Sequence, residues 1–288
     1  MEKFKVYATG LTGMVGQKIY EILKDKYYFS PQSTRKKADI VDYNSLFSEI
    51  KTFGADLIIH LAAKTDVDLC EKEKKLAEKS KTWQVNVVGS ENLAKISQKL
   101  DLKMVYISTD FVFDGKKKGA YQEEDLPNPI NFYGQTKFIG EKIVQKYLKR
   151  FLICRLSYPY GGSHFLKKDF VARIRKQFIS GNKILGATDQ LITPTLISDI
   201  AYALDSLISK KCRGIYHVAG SSVISPYQLS LEIAKRFGYD ITLIRKTNWQ
   251  DFYKMRTKRP QYLQISNEKL VCDTGCKMKD FISGLKKL

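Results

Sequence analysis

Three histidines and five cysteines are all that this 288-residue chain offers of the usual zinc and thiol ligands. The cysteines, at 70, 154, 212, 272 and 276, form no Cys-x-x-Cys pair and are odd in number. Neither a zinc spacing nor a disulfide framework can be built from them, and no metal is expected. This usage predicts a reducing, cytoplasmic setting. No apolar run nears the roughly 20 residues that a membrane helix needs, and the longest, 57–63, is broken by His60. The opening Met-Glu-Lys-Phe-Lys-Val runs straight into a strand pattern, which predicts no secretory leader. Acids are scarce as well. Thirty Asp and Glu face 49 Lys and Arg, leaving a net charge of +19. Only ten of those cations are Arg, and the Lys are spread along the whole chain. Nucleic-acid readers cluster Arg and Lys on one face with stacking aromatics, so a solvated, solubility-giving surface is expected instead. Neither a nucleic acid nor a membrane is expected as partner. The positive field would draw in small anions such as nucleotide diphosphates.

An apolar content of 43% and an aromatic content of 12% suit a globular fold with a sizeable core. Short apolar strands are expected at 3–8, 27–30, 56–62, 103–108 and 151–156, with helical periodicity at 15–23, 85–100 and 138–147. Strands alternating with helices predict an α/β fold, a Rossmann-type doubly wound parallel sheet covered on both faces. Beyond Leu156 the pattern loosens around Pro159, Gly161 and Gly162. Helices are expected at 170–178, 198–208 and 226–237, with a strand at 214–219. Residues 1–156 are expected to form a dinucleotide-binding domain completed by 198–219, and 157–288 mainly a smaller substrate-binding lobe.

Gly10, Gly13 and Gly16 stand at Gly-x-x-Gly-x-x-Gly spacing between the first strand and the first helix. The first permits a tight turn, the second lets backbone approach a pyrophosphate, and the third packs helix on strand. The helix N-terminus then offers N–H groups and a positive dipole end to phosphates. Tyr133-Gly-Gln-Thr-Lys137 places a phenol and an ammonium at i and i+4, on one face of a helix. A cation nearby would lower the Tyr133 pKa, as acid–base work near neutrality requires. Ser108-Thr109-Asp110 ends the strand at 103–108, and ligands of such sheets bind at the carboxyl ends of the strands.

These residues resemble the extended short-chain dehydrogenase/reductase family, and within it the dTDP-4-dehydrorhamnose reductases. The likeness runs through Thr9-Gly-x-x-Gly-x-x-Gly16, Ala62-Ala-Lys-Thr-Asp-Val-Asp68 with Glu71, and Val85-Asn-Val-Val-Gly89. It continues through Ser108-Thr-Asp-Phe-Val-Phe-Asp-Gly115, Pro127-Asn-Pro, Tyr133-Gly-x-Thr-Lys137, Gly140-Glu141, Asp189-Gln190, Pro194-Thr195 and Arg259-Pro260. The resemblance implies Thr109, Tyr133 and Lys137 as the catalytic residues. Thr109 would hydrogen-bond the substrate's 4-keto oxygen, Tyr133 would protonate it, and Lys137 would hold the nicotinamide ribose. Cofactor contacts are implied at Gly10, Thr12, Gly13, Met14, Val15 and Gly16, at Asp42, and at Leu61, Ala62, Ala63 and Lys64, besides Tyr133 and Lys137. Thr109, Asp110, Tyr158 and Arg259 are implied on the substrate side, Arg259 as a diphosphate ligand. The activity implied is NADPH-dependent reduction of a nucleotide-linked 4-keto-6-deoxyhexose, NADH being the other cofactor to test. The family admits both monomers and homodimers.

NAD-preferring folds place an acid about 20 residues after the glycine turn. Here the segment 30–37 has none and offers Ser33, Thr34, Arg35, Lys36 and Lys37, with Arg35 suited to a 2′-phosphate. Phe111 follows Asp110 where sugar-nucleotide dehydratases of this fold carry Glu, which argues against a dehydratase. Tyr158 replaces a Trp common in the family, Ile192 a Gly, and Tyr262 and Leu263 small polar residues, so sugar and nucleotide identity stay open. His60 and His217, both in apolar strands, are expected to be hydrogen-bonded core residues, and Arg155 to pair with a carboxylate. Two rivals stand beside the reductase. One is a nucleotide-sugar epimerase of the same fold. The other is a regulatory subunit resembling that of methionine adenosyltransferase.

Overall fold

The computed structural model describes residues 3–30, 39–162 and 169–288; Arg35 lies outside the described residues. In the first half, strands and helices alternate as β1 (Phe4–Thr9), α1 (Met14–Leu23), β2 (Tyr27–Phe29), α2 (Tyr43–Phe53) and β3 (Leu57–His60). Then come α3 (Val67–Glu73), α4 (Lys81–Trp83), α5 (Gly89–Lys99), β4 (Lys103–Thr109), α6 (Phe132–Tyr147) and β5 (Phe151–Leu156). The second half contains β6 (Pro159–Tyr160), α7 (Phe170–Ile179), β7 (Ile184–Ala187), β8 (Leu191–Ile192), β9 (Thr195–Leu196) and α8 (Ile197–Ser209). It closes with β10 (Gly214–Val218), α9 (Pro226–Phe237), β11 (Ile244–Thr247), α10 (Trp249–Phe252), β12 (Tyr262–Leu263), α11 (Glu268–Thr274) and α12 (Phe281–Leu285).

Six strands form one parallel sheet in the order β10-β5-β4-β3-β1-β2, so the doubly wound α/β fold expected from the sequence is present. Strands buried on both faces read as unbroken apolar runs rather than as alternation, and all four residues of β3 are buried. One face packs Ile19 and Leu23 of α1 against Ile200 and Leu204 of α8. The other packs Leu46 and Ile50 of α2 with Leu93 and Ile96 of α5 and Val144 of α6. Each such aliphatic side chain contributes about 1.5–3 kcal/mol through burial. From β1 the chain turns one way to β2 and then back to β3, which opens a crevice at the carboxyl ends of β1 and β3 where such sheets take ligands.

Three two-stranded parallel pairs, β6–β9, β7–β11 and β8–β12, build the rest of the second half. They pack with α7, α9 and α12 around Tyr160, Phe178, Ile184, Leu229, Ile233 and Phe281. Helix α9 is fixed at both ends by sequence. Ser225 and Gln228 form a reciprocal capping box with Pro226 inside it, and Gly238 stops the helix in the left-handed region.

Three boundaries differ from the sequence reading by more than one residue. Helix α6 starts at Phe132, six residues before the expected 138, because Asn131 caps it by accepting from the Gly134 N–H at 2.9 Å. The helix expected at 85–100 opens as a wider π-helical turn, Gln84–Val88, before α5 begins. The strand expected at 56–62 stops at His60, which leaves residues 61–64 as a loop at the crevice. Among the described residues no helix is long and apolar enough to cross a membrane.

Candidate active site

Gly10 follows β1 with φ +77°, and a Cβ there would lie 2.5 Å from the backbone nitrogen of Ala62. A side chain is excluded twice, by conformation and by the approach of the loop after β3. A Cβ on Gly16 would enter the backbone of Gly10 and Leu11, so α1 sits directly on the turn. Gly13 is the N-cap of α1 and makes no side-chain cap, which leaves the N–H groups of Met14, Val15 and Gly16 for an anion. Thr12 and Gly13 are exposed beside them. Ala62 N–H donates to the Thr9 hydroxyl at 3.3 Å, and Leu61 N–H to the Thr9 carbonyl. A cradle of bare backbone between two strand ends fits a dinucleotide pyrophosphate. The Asp42 carboxylate caps α2, accepting from the N–H groups of Asn44 and Ser45.

Thr109 ends β4, and its hydroxyl donates to Asp110 at 3.0 Å and accepts from the Phe111 N–H at 3.2 Å. Tyr133, in the first turn of α6, places its phenol beside the Thr109 hydroxyl. Gly134 makes this approach possible, because a Cβ there would collide with the Phe111 carbonyl. Lys137 is one turn further on, 2% exposed, with its ammonium 4.0 Å from the centre of the Tyr106 ring. The structure therefore brings Thr109, Tyr133 and Lys137 to one end of β4 and α6. The predicted lowering of the phenol pKa is not found. Burial pushes Tyr133 above its ordinary value, with Asp110 and Cys70 adding to the rise and Thr109 opposing it. The same burial pulls Lys137 down to about 7, against the attraction of Glu141. Desolvation dominates here, so Tyr133 is held as a protonated phenol, a proton donor.

Asn86 entered the sequence reading only as part of the Val85-Asn-Val-Val-Gly89 motif, with no role of its own, yet it ties the two halves of the candidate site together. Fully buried in the π-helical turn, it accepts from the Lys64 N–H at 2.8 Å and donates to the Lys64 carbonyl and the Thr136 hydroxyl at 3.0 Å. Thr136 in turn donates to the Tyr133 carbonyl. Its signal in the sequence was a lone amide inside the apolar stretch from Val85 to Val88. Glu71 was noted only as part of a motif; its carboxylate accepts from the Phe132 N–H at 2.7 Å and so anchors the start of α6.

Among the residues that the resemblance implies on the substrate side, Tyr158 holds φ +39°, an uncommon conformation for a bulky residue. Its ring lies 6.2 Å from that of Phe111, and Asp110 and Tyr253 act on its phenol. Arg259 is gripped bidentately by Asp68 of α3, at 3.0 and 2.8 Å, and faces the Tyr253 ring. Its fork is therefore already engaged by a carboxylate. Three other residues serve the core. His60 is bonded by Thr9 at 2.7 Å and Ser90 at 3.0 Å, His217 by the Ser266 carbonyl, and Arg155 pairs with Glu141.

Over residues 4–288 the sequence matches the RmlD substrate binding domain. The chain belongs to the RmlD substrate binding domain family. This RmlD-family chain is 32% identical to the spore coat polysaccharide biosynthesis protein SpsK of Bacillus subtilis (strain 168), over 91% of its own length and 89% of SpsK. It is 29% identical to methionine adenosyltransferase 2 subunit beta of Xenopus laevis, over 91% of its own length and 80% of that protein. Among solved structures, the dTDP-4-dehydrorhamnose reductase of Bacillus anthracis str. Ames in complex with NADP superposes with a TM-score of 0.90 at 28% identity, covering 99% of this chain and 98% of that one. The RmlD family is one of sugar-nucleotide reductases, and the resemblance read from the motifs is met.

Proposed function

We propose that this chain uses NADPH to reduce the 4-keto group of a nucleotide-linked 4-keto-6-deoxyhexose, the kind of step that completes dTDP-rhamnose. The observation that carries this reading is the buried, protonated Tyr133 phenol beside the Thr109 hydroxyl, one helical turn from Lys137. A bound nicotinamide nucleotide would supply the hydride, on the bare cradle formed by Gly10, Gly13 and Gly16. Tyr133 donates its Oη proton to the carbonyl oxygen as charge builds there, and Thr109 turns its hydroxyl from Asp110 to the same oxygen. Lys137 holds the ribose hydroxyls and, when protonated, stabilises the tyrosinate left behind. Hydride on carbon and proton on oxygen complete the two-electron reduction. Tyr158 flanks the sugar, and a diphosphate would compete with Asp68 for Arg259.

The test is NADPH oxidation against a panel of 4-keto-6-deoxy sugar nucleotides. Turnover is expected with at least one, and Tyr133→Phe should lower kcat by about a hundredfold or more while still binding NADPH. A wild-type chain that binds NADPH but oxidises it with no panel member overturns the proposal. Cofactor choice is tested by Arg35→Ala, which should narrow the NADPH-over-NADH preference; an unchanged ratio removes Arg35 from the account. The likeness to methionine adenosyltransferase 2 subunit beta favours a second reading, a regulatory subunit. Co-purification of a synthetase by a chain inactive on the panel would establish it.

A further inference from the structure

A second cavity lies at the opposite end of the sheet from the crevice. It measures about 280 Å³ and is floored by the amino ends of the central strands, through Leu57, Met104, Val105 and Leu152, with Ile208 of α8 on one side and Phe4 at the mouth. Phe4 is 43% exposed, a large apolar ring left uncovered. Five cations line the same cavity, Lys26, Lys103, Arg150, Lys211 and Arg213, and no lining residue is acidic. Lys26 is paired with Asp205 and Arg150 with Asp101. Lys103, Lys211 and Arg213 have no carboxylate partner among the described residues. Strand β4 runs from this cavity, at Lys103 and Met104, to Thr109 at the other end.

An apolar floor below unneutralised cations is complementary to one chemistry, a short apolar body carrying a single anionic head. The floor side chains Leu57, Met104, Val105 and Leu152 are only 0–4% exposed, so the apolar surface left wet is that of Phe4 and the half-buried Phe151 and Ile208 on the walls. Its exposure is unfavourable in proportion to its area, and each unpaired ammonium or guanidinium favours a carboxylate at the mouth. The volume is near the lower end of small-ligand pockets, which suits a medium-length acyl chain better than a nucleotide. We infer that this cavity is a binding site for an amphipathic carboxylate such as a medium-chain fatty acid, separate from the dinucleotide crevice.

Decanoate is the probe, read by isothermal titration on the full chain, with decanol and decylammonium as same-length controls. One decanoate per chain is expected, with decanol at least about tenfold weaker and decylammonium undetectable. Saturating NADP should leave the decanoate affinity unchanged. The triple variant Lys103→Glu/Lys211→Glu/Arg213→Glu should weaken decanoate by about tenfold or more, and Ser209→Phe, at the rim, should do so without altering charge. Equal binding of decanol and decanoate, displacement by NADP, or full affinity in both variants would each overturn the inference, as would no binding to the wild-type chain. The readout requires no turnover, so it stands or falls apart from the reductase proposal.

Discussion

The Lys137 ammonium rests 4.0 Å from the centre of the Tyr106 ring, although Tyr133 precedes it by one turn of the same helix. A ring face offers a buried cation less than a carboxylate does, and the neighbouring Glu141 carboxylate is committed to Arg155 and Ser108. Burial therefore wins, and Lys137 falls to about 7. A base lowered in the folded state sheds its proton earlier there than in the unfolded chain. From about pH 7 to about pH 10 the unfolded chain binds more protons, so the Lys137 contribution to stability rises across that window and is lost as pH falls through 7. Urea unfolding of the ligand-free protein at a series of pH values should show this rise. Lys137→Met should flatten it by an amount on the order of a few kcal/mol; identical slopes in the two proteins would contradict the account.

Arg155 and Glu141 form a pair whose side chains are 2% and 0% exposed. The guanidinium meets both carboxylate oxygens, at 3.0 and 2.8 Å, and stacks 5.0 Å from the Phe113 ring. Removing one partner leaves a buried charge without a counter-ion, which costs about 3–5 kcal/mol. Arg155→Met is expected to destabilise by that amount in chemical denaturation. Arg155→Met/Glu141→Leu should recover most of the loss, because the remaining charge is gone. A double variant no more stable than the single one would refute the pair as the cause.

Much of this was legible in the sequence, and the reasons are local. Strand β5 and helix α9 fall at the residues read for them, since an unbroken apolar run and a Ser-Pro start with a Gly stop are signals carried by the segment itself. The turn at Gly10 and the Tyr133–Lys137 pair were legible because glycine spacing and i,i+4 geometry are properties of neighbouring residues. What failed depended on distant partners. The apolar periodicity at 138–147 gave no sign that α6 starts as early as Phe132, where Gly134 serves the approach to the distant Phe111. Strand pairs of two residues carry too few positions for any periodicity. Asn86 gave no clue that it would bridge Lys64 and Thr136, 22 and 50 residues away. The state of Tyr133 was misread because a nearby cation is visible in a sequence and desolvation is not.

Asp110 supplies the opposite slope to Lys137. Fully buried between Thr109 and Ser157, it is raised to about 7 by desolvation, against the hydrogen bonds of both hydroxyls. An acid raised in the folded state keeps a proton that the unfolded chain has released. Its contribution is therefore present below about pH 4 and is lost as pH rises through 7. Lys137 costs most below 7 and Asp110 costs most above it, so the ligand-free site is least favourable to folding near neutrality. Such a trough is a form of strain at the candidate site, offset by packing elsewhere. The stability of the wild type, taken relative to Asp110→Asn/Lys137→Met, should pass through a minimum within about one unit of pH 7. Asp110→Asn alone should leave only the rising limb, and Lys137→Met alone only the falling one. A monotonic difference curve for the wild type would show that the two groups do not titrate as their burial requires.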